Sequence, residues 1–148
     1  MYDYLGSYIA GSWVPSAGDP LAVTSPASLE TIGHVSVATR DDVDAAVRAA
    51  RAALADEKWA STTPVERGAL IGRLADALEK RAADFGNLVS AEVGSPRKWA
   101  TMGQIGTALG VLRTYEKLTG EHTFEETRRS MLGGEVVVRQ LPVGVVGA

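Results

Sequence analysis

Two threonines, each followed three positions later by a carboxylate, divide this chain into strands and helices. Thr39 with Asp42 and Thr63 with Glu66 match the capping box. In that motif the hydroxyl accepts the N3 amide while the N3 carboxylate accepts the N-cap amide. Pro64 follows Thr63 at the first helical position, where an amide hydrogen has no intrahelical partner to lose. Asp41, Asp42 and Asp44 complement the positive end of a helix dipole. Helices are therefore expected from Thr39 onward. Val43, Ala46, Val47, Ala50 and Leu54 follow i, i+3, i+4 spacing, and the many alanines imply close approach to a neighbour.

Beyond Thr63, Leu70, Ile71, Leu74 and Leu78 line one helical face, and Arg67, Arg73, Asp76, Glu79, Lys80 and Arg81 occupy the rest. A break near Ala82-Ala83-Asp84 precedes Phe85, Leu88, Val89 and Glu92, and Gly94 suits a C-cap. Ser95-Pro96 restarts the pattern in the same way. Trp99, Met102, Ile105, Ala108, Leu109 and Leu112 carry a third helix toward Gly120. Gly103, Gly106 and Gly110 each cost ~1 kcal/mol relative to Ala in a helix interior. Close backbone packing against another element is the expected compensation. They interrupt a helical pattern instead of joining a strand to a helix, so they form no phosphate loop.

The ends of the chain read as β. Tyr8 to Val14 predicts strand, tight turn at Gly11-Ser12, strand. Residues 15–20 carry loop chemistry. Val23-Thr24 and Thr31 to Val35 suggest two more strands, so a small antiparallel sheet is expected up to residue 38. His122 to Gly134 is polar, with neither caps nor an apolar face. Glu135 to Leu141 is strongly β, and Pro142 interrupts it. Val143-Gly144-Val145-Val146-Gly147-Ala148 suits the start of a buried parallel strand. Nothing later pairs with it, so the sequence is expected to be cut short.

Composition removes several functions. The 148 residues suit one ordinary domain. A net charge of −3 gives no electrostatic case for nucleic acid, and Arg128-Arg129 reads as a solvated pair. Cysteine is absent, which excludes a thiol nucleophile, a thiolate metal site and disulfides within this chain. The opening Met1 to Gly6 carries an acid and no apolar core, so it is no signal peptide. No apolar run reaches the roughly 18 residues of a membrane span. A cytoplasmic location is the default expectation.

Taken in order, the segments resemble the aldehyde dehydrogenase superfamily, and the resemblance runs across essentially the whole chain. Tyr8 to Val14 is similar to its opening "Y-I-x-G-x-W" hairpin. Ser25-Pro26-Ala27 followed by Glu30-Thr31-Ile32-Gly33 resembles "N-P-A-T-G-E-x-I-G", with Ser25 for the usual Asn. Asp42 to Val47 resembles its first helix. Trp59, Pro64, Glu66-Arg67 and Leu74-Ala75-Asp76 resemble "W…P…E-R…L-A-D". Glu92-Val93-Gly94-Ser95-Pro96 sits where the family often has "E-T-G-K-P", departing at Val93 and Ser95. Pro142 to Ala148 resembles the strand before "I-x-P-W-N-F-P". No one of these motifs is decisive; their order and spacing carry the resemblance.

The resemblance implies an α/β fold: small antiparallel strands, three helices, then strands leading into a Rossmann-like cofactor sheet. Residues 1–134 would belong to the N-terminal part of the cofactor-binding domain. Residues 135–148 would supply strands of the oligomerisation arm and the start of the cofactor sheet, with the catalytic domain absent. It implies oxidation of an aldehyde to a carboxylic acid with NAD or NADP through a cysteine thiohemiacetal, followed by glutamate-assisted hydrolysis. The cysteine, the glutamate and the cofactor-binding lysine would all follow Ala148. Hence no catalytic, cofactor-binding or metal residue is expected in this chain, and the fragment alone is expected to bind no cofactor and to be inactive. A homo-oligomer through the C-terminal strands is expected, with Arg139 and Gln140 as contact candidates. The alternative is a non-catalytic helical interaction or structural module on the same scaffold.

Several residues invite other readings. His34 and His122 are too far apart in sequence for a local metal motif and read as surface or strand histidines. Glu92 reads as an ordinary helix-end glutamate. By resemblance it lies near where some members hold a monovalent cation with an acidic side chain and backbone carbonyls, that of Thr24 among them. Asp41, Asp42 and Asp44 read as capping residues before a hard-cation cluster. Trp13, Trp59 and Trp99 read as packing anchors.

Overall fold

The computed structural model describes residues 2–147. Strands come first: β1 (Tyr2–Tyr4), β2 (Gly6–Ile9), β3 (Ser12–Pro15), β4 (Pro20–Thr24) and β5 (Thr31–Ser36). They form two sheets, not one. β2 and β3 make a hairpin, and a second sheet has the order β1-β5-β4. β2 with β3 and β4 with β5 pair antiparallel as expected, and β1, an unexpected strand, adds parallel to β5 with Asp3 opposite His34. The hairpin turn also sits one residue earlier than expected. Ile9 pairs with Ser12. Ala10 (φ 52°) and Gly11 (φ 83°) therefore form the loop. Two successive positive φ values are what a two-residue primed turn requires.

Helices follow: α1 (Arg40–Ala55), α2 (Glu57–Ala60), α3 (Pro64–Lys80), α4 (Ala82–Val93) and α5 (Arg97–Trp99). A π-helical segment (Ala100–Ile105) then runs without a break into α6 (Gly106–Glu121). Both capping boxes form as expected. Thr39 and Thr63 accept from the amides of Asp42 and Glu66, and each carboxylate accepts from its threonine amide. The break between α3 and α4 falls at Arg81. Gly94 caps α4 in the left-handed region at φ 76°, and its amide donates to Ser90 O. The restart at Ser95-Pro96 differs from expectation. Pro96 itself occupies the cap position, without a side-chain bond. The Ser95 carbonyl instead accepts from Ser90 Oγ at 2.7 Å.

α3 packs chiefly on α6, and α4 on the π-helical segment. Small residues set how closely they approach. A β-carbon at Gly68 would lie 2.7 Å from the Glu116 carbonyl oxygen, and one at Gly86 would overlap Thr101. The expectation that Gly103, Gly106 and Gly110 receive a neighbouring backbone is corrected. Gly103 lies under the indole of Trp99, and a β-carbon at Gly110 would meet nothing within 4 Å.

Among the described residues the buried apolar side chains are Ala75, Ala100 and Ile105, and Ser25 is the one buried polar residue. Fully burying a large apolar side chain contributes about 1.5–3 kcal/mol, and none larger than Ile105 reaches even near-complete burial here. α1 buries no residue and leaves Val43 and Val47 exposed.

Two further expectations are corrected near the C-terminal end. The polar stretch after His122 contains a strand, β6 (Glu125–Arg129), paired antiparallel with β7 (Glu135–Arg139). Its own residues, Glu-Glu-Thr-Arg-Arg, are polar on both faces, so no apolar alternation marks it although Val136, Val137 and Val138 stand opposite. Residues 143–147 form no strand, although their composition is β-prone. No neighbouring strand among the described residues receives their backbone groups, and Gly144 adopts φ 110°.

Candidate functional site

Asp42 gathers three donors on one carboxylate oxygen: Ser16 Oγ at 2.7 Å, Thr39 N at 2.8 Å and Thr39 Oγ1 at 2.8 Å. The Thr39 backbone bond first, then the Ser16 and Thr39 hydroxyls, hold its carboxyl below the usual carboxylate range. Glu66 is lowered in the same way by the Thr63 amide and hydroxyl. These acids are therefore capping groups. Asp42 also ties the β3–β4 loop to the start of α1.

The two histidines serve separate elements. His34 on β5 places Nδ1 3.1 Å from Asp3 Oδ1, and its amide donates to the same oxygen. His122, the C-cap of α6, places Nε2 2.8 Å from Gln140 Oε1 and stands edge-on to Phe124. Among the described residues no three His, Asp or Glu side chains gather as a metal site. Glu92 lies exposed at the end of α4. Two residues on, Gly94 abuts the ring of Pro26, so the β4–β5 loop and this helix end do meet.

The tryptophans pack locally and stay partly exposed, which corrects their reading as anchors. Trp13 stands edge-on to Tyr8, Trp59 lies beneath the Arg67 guanidinium, and Trp99 covers Gly103. Arg139 on β7 pairs with Glu125 on β6 at 2.6 Å. Gln140 follows, its amide donating to Phe124 O.

Two features escaped the sequence. Arg113 on α6 reaches Asp76 at 2.5 Å and Glu79 at 3.1 Å on α3, and Glu116 at 3.2 Å on its own helix. These carboxylates, Asp76 foremost, raise its pKa above the usual guanidinium value. A cleft of about 460 Å³ opens where the start of α3, the end of α6 and the β6–β7 hairpin meet, lined by Arg67, Thr119, Phe124 and Gln140 among others. Periodicity identifies faces of single helices and is silent on such junctions.

The sequence holds no cysteine and hence no thiolate, and the hydroxyls that meet carboxylates, those of Ser16, Thr39 and Thr63, lie at the helix caps. In this chain those contacts hold strands, loops and helix starts together. Its likeness to known proteins is specific: the model of the aldehyde dehydrogenase family matches residues 13–148. The chain belongs to the aldehyde dehydrogenase family.

Among curated aldehyde dehydrogenases, the geranial dehydrogenase of Castellaniella defragrans is 32% identical over 99% of this chain and 31% of its own length. The N-succinylglutamate 5-semialdehyde dehydrogenase of Chromobacterium violaceum is 32% identical over 94% of this chain and 28% of its own. The crystal structure of Mycobacterium tuberculosis aldehyde dehydrogenase complexed with NAD+ superposes on 95% of this chain and 29% of that one, with TM-score 0.85 and 36% identity. The strands and helices described above are thus the N-terminal part of the aldehyde dehydrogenase fold. The chain spans about 30% of the length of the curated relatives it matches. Among the described residues no helix is long and apolar enough to cross a membrane.

Proposed function

We propose that this chain is the N-terminal portion of a cytoplasmic oxidoreductase that oxidises an aldehyde to a carboxylic acid with NAD(P)+. The observation that carries the reading is the family match across residues 13–148. The relative named as an NAD+ complex makes NAD the first cofactor to test. In this reading residues 1–134 are the N-terminal part of the cofactor-binding domain, and residues 135–148 supply the arm and, once a longer chain provides neighbouring strands, the start of the cofactor sheet. The chain itself contributes no catalytic, cofactor-binding or metal residue.

A dinucleotide rests at the carboxyl ends of adjacent parallel strands. The parallel pair among the described residues is β1 with β5, three residues long. That does not fit a dinucleotide, and the polypeptide alone is inactive in this reading. The purified chain, assayed with several aldehydes and either cofactor, gives no saturable formation of reduced nicotinamide. A hybrid carrying this chain in place of the matched third of the geranial dehydrogenase does form it. Activity in the isolated chain, or a soluble, folded hybrid without activity, overturns the proposal.

In the same reading the β7 end of the chain joins subunits. Val136 and Val137 on β7 and Val143 to Val146 beyond it are exposed, and unpaired β-prone edges template pairing with other chains. Sedimentation of this chain beside a version ending at Gly134 tests this. Self-association confined to the longer polypeptide is expected. Two monodisperse monomers refute it.

A further inference from the structure

The cleft between α3, α6 and the β6–β7 hairpin has one cation and no acid in its lining. Pro64, Phe124, Leu141 and Pro142 wall it, and Arg67, Thr119 and Gln140 supply its polar atoms. Arg67 is half-buried. Its Nε and Nη2 donate to Thr62 Oγ1 at 2.9 Å and Thr62 O at 2.8 Å, which fixes the plane of the guanidinium. Among the described residues no carboxylate pairs with it. The neighbouring Glu66 carboxylate is turned to Thr63. Gln140 commits its Oε1 to His122, leaving its amide N–H groups without an acceptor among the described residues.

A partly desolvated guanidinium with spare donors favours an anion, and its fork matches a carboxylate. One guanidinium balances one negative charge, and the remaining walls are apolar. The volume of about 460 Å³ falls within the range of small-molecule sites, about 300–1,000 Å³. We propose that this cleft binds a small organic monocarboxylate. Its carboxylate lies on Arg67 and Gln140, and its apolar body lies against Phe124, Leu141 and Pro142. The site is separate from aldehyde oxidation and does not depend on that reading.

Trp59 gives the test, since its ring centre lies 5.8 Å from Arg67 Cζ. In a Trp13→Phe, Trp99→Phe background the tryptophan emission comes from Trp59, beside Arg67. Titration with benzoate gives a saturable change, and titration with benzyl alcohol gives none. Arg67→Gln weakens benzoate binding at least about tenfold. Gln140→Glu does the same by supplying an internal carboxylate. A benzyl alcohol response equal to that of benzoate, a benzoate response that never saturates, or full affinity in Gln140→Glu overturns the proposal. If circular dichroism shows that Arg67→Gln unfolds, Gln140→Glu and the alcohol control decide.

Discussion

The carboxylate of Glu116 occupies the space beside Gly72 that a β-carbon would fill, and Glu116 Oε2 also accepts from Arg113 Nη1 at 3.2 Å. Gly72 therefore lets an ion-paired side chain of α6 lie against the backbone of α3. Gly68, one turn earlier, faces the Glu116 carbonyl oxygen instead. A side-chain end can move aside, whereas a backbone carbonyl cannot. Gly72→Ala loses part of a partly exposed ion pair, worth about 1 kcal/mol, and gains about 1 kcal/mol of helix propensity, so it is near neutral. Gly68→Ala overpacks the helix pair at a cost of about 1–3 kcal/mol. Urea unfolding of the two variants checks the order, and a Gly68→Ala protein as stable as Gly72→Ala contradicts it.

Leu29 adopts φ 60° while 79% exposed. An L-residue with a β-carbon is strained in this region by about 1–2 kcal/mol, whereas glycine is not. The loop is closed by Ser25 N to Glu30 O and Leu29 N to Ser25 O, both at 2.9 Å, so the backbone holds the conformation. The family pattern "N-P-A-T-G-E" carries glycine at this place. Leu29→Gly sacrifices little burial and raises stability by about 0.5–1 kcal/mol after glycine's extra unfolded-state entropy. A lowered urea midpoint for Leu29→Gly sinks the strain argument.

Acid removes the capping boxes. Asp42 and Glu66 bind a proton less readily in the folded chain than in the unfolded one, because threonine donors satisfy their ionised forms. Their contribution is fully present above the ordinary carboxylate range. It is lost as pH falls below about 4 toward the folded values. An Asp42→Asn, Glu66→Gln protein is thus less stable than the parent at neutral pH and nearly equal to it in acid. Urea midpoints at pH 7 and pH 3 measure the gap, and a gap of the same size at both values rejects the linkage.

Exchange rates separate the helices. α3 carries the buried Gly68, Gly72 and Ala75, whereas α1 buries nothing. Local opening is easiest where few buried contacts hold an element. Amides in the middle of α3 are protected more strongly than those in the middle of α1, despite comparable caps. Equal protection in native-state hydrogen exchange would show that capping, not packing, sets local stability here.

The helices were legible because caps are local. Thr39 and Thr63 mark helix starts with side chains three residues away, and no tertiary partner is needed. The strands were harder. β6 is stabilised by Glu125 with Arg139 across the ladder, so its pattern lies in charge pairs with a segment still to come. β1 depends on a parallel partner some thirty residues on. The Val143 to Val146 run shows the converse, since a β-prone sequence does not form a strand without a neighbour. The resemblance located the family, but the Arg67 cleft joins three elements that no single-helix pattern relates.

The π-helical segment bears on how this chain tolerates changes in length. Residues five apart lie about 140° apart on an α-helix, yet Ala100 and Ile105 are both buried. Closing hydrogen bonds at i+5 fits one additional residue into a turn. Loss of one exposed residue, such as Gln104, lets the segment revert to α geometry while the helices on either side keep their facing. Deletion at this point is then nearly silent for α6, whose Arg113 stays aimed at Asp76. The same deletion made at Thr114, inside regular α-helix, turns everything after it by about 100°. Comparing the urea midpoints of the two deletions reveals whether the extra residue is a built-in allowance of chain.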